Sequence, residues 1–212
     1  KKRKNKTMIF DYLEQIDLKE IKKLTKLIKL RILDFGCGMG IWSRKDLKQS
    51  FVQKITLYDK NNKLQKKLNE KYIEKKINVV FDLKKILQKN DFNLVIISSV
   101  VQYMNIFKLK KIIHKISKNF YRKNHKLYII ITDIPKFSRV VEFILLPFFN
   151  INRFFCSIKY FTNKDYKKLT YYRHEERDFF FLKKKFYIKK YKNLRGLKFL
   201  RYSLILKLKR KN

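Results

Sequence analysis

The chain has 212 residues, a formal net charge of +38 and a hydrophobic fraction of 45%. This length fits one domain with a small appendage, and the apolar content excludes intrinsic disorder. No uncharged apolar run reaches the ~20 residues of a membrane-spanning helix. Two cysteines, Cys37 and Cys156, are too few for a disulfide framework or a zinc cluster. Since no apolar signal segment follows the basic start KKRKNK, we expect a cytoplasmic protein.

The positive charge has two explanations. A strongly basic chain suits nucleic acid or an anionic membrane surface. The second explanation is compositional bias, because 44 Lys, 11 Arg and no alanine resemble the product of an AT-rich genome. Arginine rather than lysine supplies the bidentate grip on phosphate, and the lysines are spread along the whole chain. The composition therefore favours bias and leaves a polyanionic partner open.

Apolar strands alternate with amphipathic helices up to Asp133. The predicted strands are 31–35, 54–58, 77–81, 92–98 and 127–132. The predicted helices are 11–29, 41–50, 61–72, 83–88 and 105–121. Strands that are apolar along their whole length indicate a parallel sheet covered on both faces. With right-handed crossovers, the pattern predicts a Rossmann-like, doubly wound α/β fold.

After Asp133 the regular alternation stops. Residues 136–172 are aromatic-rich and irregular, 175–184 has the pattern of a helix, and 186–191 and 202–209 suggest a closing pair of strands.

A glycine-rich turn follows the first strand of the series. Residues 32–40 read ILDFGCGMG, in which the glycines allow positive φ angles and close approach of a ligand. Asp59 ends the next strand, 19 residues after Gly40, where a Rossmann-type site places a carboxylate on ribose hydroxyls. The nicotinamide motif requires a glycine at position 41, which is Ile41, so a dinucleotide site is the weaker interpretation.

The arrangement resembles the class I S-adenosylmethionine-dependent methyltransferases through ILDFGCGMG and, at the fourth strand, FNLVIISSVVQYM. The resemblance covers about residues 30–135. It implies S-adenosyl-L-methionine as the cofactor and a seven-stranded, mostly parallel sheet with helices on both faces and an antiparallel last strand. The implied cofactor-binding residues are Asp34, Gly36, Cys37, Gly38, Gly40, Asp59, Lys60, Asp82, Leu83, Ser98 and Ser99.

The resemblance also implies a division of the chain. We expect an N-terminal basic segment and helix, a cofactor-binding core, a hydrophobic substrate cap, and a C-terminal helix with the closing strands. Their respective ranges are 1–30, 31–134, 135–175 and 176–212.

Each implied site residue has a purely structural alternative. Asp34 would cap the loop amides, and Asp59 and Asp82 would be ordinary helix N-caps. Ser98 and Ser99 would be turn formers, and Cys37 a small buried filler between two glycines. These alternatives remain open from the sequence.

The absence of several motifs limits the classes of methyl acceptor that we expect. The exit of the fourth strand reads SSVV rather than the Asn/Asp-Pro-Pro-Tyr signature of enzymes that methylate exocyclic base nitrogens. No carboxylate pair is present there to hold a metal, so no metal is expected. No catalytic cysteine motif for C5 methylation of pyrimidines is present either. By elimination the sequence favours a small acceptor, lipophilic or anionic, methylated by direct displacement. The alternatives are an RNA methyltransferase using the basic surface and a non-catalytic membrane-surface module.

The cap and two further side chains are the acceptor-side candidates. The aromatic cap suits a lipophilic pocket or peripheral contact with the inner membrane surface, unless it simply packs on the sheet. Arg139, Arg153 and Lys159 would suit an anionic head group. His174 is the candidate general base and Tyr103 the candidate for lining the acceptor site.

Overall fold

The computed structural model describes residues 18–38, 49–72, 76–122, 125–138, 141, 144–145, 171–191 and 201–210. Its strands are β1 (Leu30–Phe35), β2 (Val52–Tyr58), β3 (Ile77–Val79), β4 (Leu94–Ser98), β5 (Tyr128–Pro135), β6 (Phe186–Tyr191) and β7 (Arg201–Leu208). Its α-helices are α1 (Leu18–Thr25), α2 (Asn62–Lys71), α3 (Leu83–Lys89) and α4 (Ile106–Arg122). Two 3-10 helices cover Val101–Tyr103 and Glu176–Lys184. Residues 41–48 of the predicted helix 41–50 and most of the predicted cap lie outside the described residues, and residues 49–50 are not helical.

The seven strands form one sheet in the order β3-β2-β1-β4-β5-β7-β6. Neighbours from β3 to β5 are parallel, whereas β7 is antiparallel to both β5 and β6. Strand order reverses beside β1, which pairs with β2 on one side and with β4 on the other. Ligands of open α/β sheets bind at such a switch point, outside the carboxyl ends of the strands. The predicted doubly wound sheet with an antiparallel last strand is confirmed.

The core has two halves because successive strand residues point to opposite faces of the sheet. On one face, α1 and α2 bury Leu18, Ile21 and Leu68 against strand residues such as Ile32 and Ile55. On the other face lie α3, α4 and the second 3-10 helix, whose buried residues are Ile86, Leu109, Ile113, Ile116, Phe120, Phe179 and Leu182. Helices therefore cover both faces, which explains why the strands are apolar along their whole length.

Several elements differ from the sequence prediction. Helix α1 ends at Thr25, short of the predicted residue 29. Strand β5 continues through Asp133 to Pro135, and its pairing with β7 is irregular between Ile131 and Ile134. The segment predicted as a helix at 175–184 is a 3-10 helix rather than an α-helix. Its buried residues, Phe179 and Leu182, are three positions apart, and residues at this spacing align on one face of a 3-10 helix.

Candidate functional site

The glycine turn leaves β1 at the switch point. Gly36 and Gly38 have φ angles of +77° and +53°, which favour glycine. A Cβ on Gly36 would also overlap the side chain of Val100, at the exit of β4. The backbone N–H groups of Gly36 and Cys37 donate to the carbonyl of Tyr58 at 2.7 and 3.1 Å. The turn is thus fixed against the end of β2, and position 36 has no room for a side chain.

Asp59 connects the glycine turn to the start of α2. Its Oδ2 accepts a hydrogen bond from the N–H of Gly38 at 3.0 Å, and its Oδ1 accepts one from the N–H of Asn61 at 2.8 Å. The N-cap of α2 is Asn61, whose side chain accepts from the N–H of Lys63, so Asp59 is not the helix cap. Each carboxylate oxygen has two lone pairs, which leaves capacity for ligand hydroxyls.

Asp34 and Cys37 are buried beside this turn. Asp34 is 1% exposed and lies in β1 between Leu57 of β2 and Ile96 of β4. Burial, followed by the charges of Asp34 and Asp59, raises the pKa of the Cys37 thiol. The thiol is therefore protonated at neutral pH, which fits a small filler rather than a nucleophile.

Asp82 and Leu83 follow β3 at the same edge of the sheet. The Asp82 side chain accepts from the N–H of Lys84 at 2.8 Å, so it is the N-cap of α3. Burial, then the charges of Asp59 and Asp82, raises the pKa of Tyr58, which places both acids near one phenol. Leu83 is half-buried, whereas Lys60 is exposed. The structure therefore places Asp82 and Leu83 at the same edge as Asp59, the predicted ribose-binding residue.

Four oxygen-bearing side chains, here called the oxygen cluster, lie at the carboxyl end of β4 and at the neighbouring positions within β5: Ser98, Ser99, Thr132 and Asp133. The Thr132 hydroxyl donates to Ser98 Oγ at 2.9 Å, and the Ser99 hydroxyl donates to Asp133 Oδ2 at 2.7 Å. Sequence reasoning identified the serines but not Thr132 and Asp133. The available signal was a polar Thr-Asp pair at the end of the apolar run LYIII.

The two acceptor-side candidates lie near the exit of β4. Tyr103 ends the first 3-10 helix and is 38% exposed. His174 is buried, and its Nε2 lies 3.0 Å from the carbonyl of Val101. Because a carbonyl only accepts, Nε2 carries the hydrogen and Nδ1 is the nitrogen that would receive a proton. The general-base role of His174 stays a prediction.

The backbone around His174 is held across the ends of β4 and β5. Its N–H donates to the carbonyl of Pro135 at 3.0 Å, and its carbonyl accepts from the hydroxyl of Tyr202, also at 3.0 Å. The N–H of Tyr172 donates to the carbonyl of Gln102 at 2.8 Å. The C-terminal end of the predicted cap is therefore fixed against the candidate site.

Some predicted residues lie outside the described part of the chain, namely Gly40, Arg139, Arg153 and Lys159. Among the residues that the structure describes, no group of three or more His, Cys, Asp or Glu side chains is arranged to hold a metal ion. In the same residues no helix combines the length and the apolar character needed to cross a membrane.

No protein-family model and no curated protein matches the chain. Several solved structures do match the chain. Magnesium protoporphyrin IX methyltransferase from Synechocystis PCC 6803, with bound SAH, matches with a TM-score of 0.56 and 16% identity, over 92% of this chain and 80% of that one. A putative type 11 methyltransferase from Sulfolobus solfataricus matches with a TM-score of 0.55 and 18% identity, over 94% of both chains.

The methyltransferase domain of a bacterial Hen1 protein matches with a TM-score of 0.57 and 12% identity, over 90% of this chain and 95% of that one. Identities this low establish a common fold and leave the reaction to be argued from the site. Together with the strand order and the glycine turn, they establish that this chain has the fold of the class I S-adenosylmethionine-dependent methyltransferases.

Proposed function

We propose that the protein is an S-adenosylmethionine-dependent methyltransferase that methylates a small molecule by direct in-line displacement. The observation that carries this proposal is the hydrogen bond from the Gly38 N–H to Asp59, which joins a carboxylate to the glycine turn at the switch point. In this fold the carboxyl edge of the sheet is where ligands bind. One structural neighbour was crystallised with bound SAH, and another crystal of the same enzyme contains bound SAM.

The residues at this edge fit the chemistry of the cofactor. Gly38, whose Cβ position faces open space, leaves room for the methionine part, and Asp59 offers carboxylate oxygens to the two ribose hydroxyls. Asp82 and Leu83 offer a polar and an apolar contact to the adenine. Acids are scarce here, 17 against 55 basic residues, yet Asp34, Asp59 and Asp82 all lie at the ends of β1, β2 and β3. A concentration of negative charge suits a cofactor that carries a sulfonium and an ammonium group.

The chain contributes position rather than reactive groups. The bound cofactor supplies an activated methyl group on a positively charged sulfur. The glycine turn and Asp59 would hold one end of the ligand. Fixed orientation of this kind lowers the barrier by removing the entropy of encounter. The segment around His174 is bonded to Val101 and Pro135 and would help to shield the site from water.

Calorimetric titration with S-adenosylmethionine and with S-adenosylhomocysteine tests the proposal directly. We expect saturable binding with a stoichiometry of one. A panel of small acceptors with radiolabelled methyl donor then tests turnover. A folded protein that binds neither compound would refute the proposed function.

RNA methylation is a second candidate, supported by the charge of +38 and by the likeness to Hen1 domains. The chain also matches a chain of the Pnkp1/Rnl/Hen1 RNA repair complex, with a TM-score of 0.54 and 12% identity over 40% of that chain. Binding of RNA that survives 200 mM salt and discriminates among sequences would favour this candidate. Binding that salt abolishes is counterion release alone.

A third candidate is a non-catalytic module at the inner membrane surface of the cytoplasm. Its support is the basic surface together with the aromatic segment 136–172. Cosedimentation with anionic vesicles, combined with cofactor binding without turnover on any acceptor, would favour it over the enzyme.

A further inference from the structure

The oxygen cluster interrupts the two most apolar strands of the sheet. β4 reads LVIIS and β5 begins YIII, and their residues from Leu94 to Ile97 and from Tyr128 to Ile131 are buried. At the next register position Ser98 lies opposite Thr132, and Ser99 and Asp133 follow. The cluster lies at the carboxyl end of β4 and beside that end in β5, and β4 borders the switch point. Polar groups therefore begin where ligands of this fold bind.

Two members of the cluster have an unfavourable backbone conformation. Ser99 and Asp133 have φ angles of +55° and +62°. A residue with a Cβ loses roughly 1 kcal/mol in this region relative to glycine, which this chain uses in the same conformation at Gly36 and Gly38. Residues with side chains therefore occupy positions 99 and 133, although glycine would relieve the strain there. Such strain is concentrated at functional sites in proteins.

The Asp133 carboxylate is also costly to bury. It is 4% exposed, and Ser99, which donates to it at 2.7 Å, is only half-buried. A buried carboxylate destabilises a fold unless it is well hydrogen-bonded. Packing of the core does not by itself require a charged residue at this position. Ser99 therefore links the buried acid to the accessible edge of the sheet.

We infer that the Ser99–Asp133 pair forms the acceptor side of the methyl-transfer site and that Asp133 receives the proton of a hydroxyl or amine acceptor. The inference rests on the proposed function and narrows its substrate class. Ser99 is a positioning residue, because its hydroxyl orients Oδ2 of Asp133. An acceptor that donates a hydrogen bond suits this carboxylate, whereas a carboxylate or phosphate acceptor would be repelled by it.

The step balances in atoms and charge. A lone pair on the acceptor oxygen or nitrogen forms the new bond to the methyl carbon. The carbon–sulfur bond breaks, and its electron pair remains on sulfur as a neutral thioether. The acceptor proton passes to Asp133, so the positive sulfonium and the negative carboxylate are neutralised together.

The inference is testable without knowing the acceptor. Sinefungin carries a primary amine where the cofactor carries its methyl group, so its ammonium points to the acceptor side. We expect sinefungin to bind the wild-type protein about tenfold more tightly than S-adenosylhomocysteine, the size of one charge-assisted hydrogen bond. Asp133→Asn should reduce this ratio to about one, since asparagine tolerates the same backbone conformation without the charge. Calorimetry measures both affinities.

Asp91→Asn is the matched control. Asp91 precedes β4, where it pairs with Arg31 and Lys54 at the opposite end of the strand, so the ratio should not change. Ser99→Ala should lower the ratio about threefold while both ligands still bind. Wild-type protein without a preference for sinefungin, or a preference retained in Asp133→Asn, would overturn the inference alone. Failure of both ligands to bind folded wild-type protein would instead overturn the proposed function.

Discussion

Replacing Asp59 by asparagine isolates the feature on which cofactor binding depends. The two oxygens of Asp59 accept from Gly38 N–H at 3.0 Å and from Asn61 N–H at 2.8 Å. Asparagine keeps one acceptor oxygen, which can maintain the turn to Asn61. Its NH2 group cannot accept from Gly38, so the glycine turn loses this bond while Gly36 and Cys37 still donate to the carbonyl of Tyr58. Because Asp59 is only half-buried, we expect the free energy of unfolding to fall by about 1 kcal/mol.

The effect on the cofactor should be larger than the effect on the fold. Two ribose hydroxyls that donate to a carboxylate form charge-assisted hydrogen bonds, each contributing roughly 1.5–3 kcal/mol. Asparagine offers one neutral acceptor in their place. The Kd for S-adenosylmethionine should therefore rise about 10- to 100-fold. Calorimetry at constant salt measures the Kd, and thermal denaturation measures stability in the same preparation.

Asp91→Asn serves as the control here as well, because Asp91 forms ion pairs with Arg31 and Lys54 away from the carboxyl edge. It should leave the Kd within twofold of the wild-type value. An Asp59→Asn protein that remains folded and binds the cofactor as tightly as the wild type would refute the assignment of Asp59 to the ribose.

Three further outcomes follow from the described contacts. Gly36→Ala should lower the free energy of unfolding by about 2 kcal/mol in denaturant titration, since its Cβ meets Val100 at a positive φ; unchanged stability would contradict that geometry. His174→Ala should cost about 2 kcal/mol by leaving a buried carbonyl without its donor, whereas exposed His125→Ala should cost nothing measurable. Because burial raises the pKa of Cys37, the unfolded thiol ionises first, so stability should fall above about pH 8.5, by up to ~1.4 kcal/mol per pH unit. Cys37→Ser should lack that part of the pH dependence in denaturant titrations from pH 7 to 10.

The sequence predicts the parallel part of the sheet well because its signals are local. Strands such as β1 and β4 are mostly apolar, and glycine or serine marks the carboxyl edge of each. Helix α4 shows buried Leu109, Ile113 and Ile116 at helical spacing. These patterns follow from burial on both faces of the sheet, so they can be recognised even in a chain of unusual composition.

The features that the sequence misses depend on contacts between distant residues. Asp133 resembles a strand end, yet β5 continues past it because β7 pairs with Ile134 and Pro135. The bond from Ser99 to Asp133 joins residues 34 positions apart, which no local pattern reports. Likewise, Asp59 and Asp82 look alike as acids after strands. Only the fold shows that Asp82 caps a helix whereas Asp59 bonds to the glycine turn.

The position of β7 between β5 and β6 has a consequence for synthesis of the chain. Among the residues that the structure describes, the isoleucine-rich edge of β5 pairs on that side with residues 201–208, which are made more than 60 residues after β5. During translation this edge remains open, and open apolar strand edges recruit other chains. β6 is made before its partner and must also wait for β7. Folding of this half of the sheet is therefore delayed until β7 emerges, and a nascent chain stalled before that point is the form most prone to aggregate.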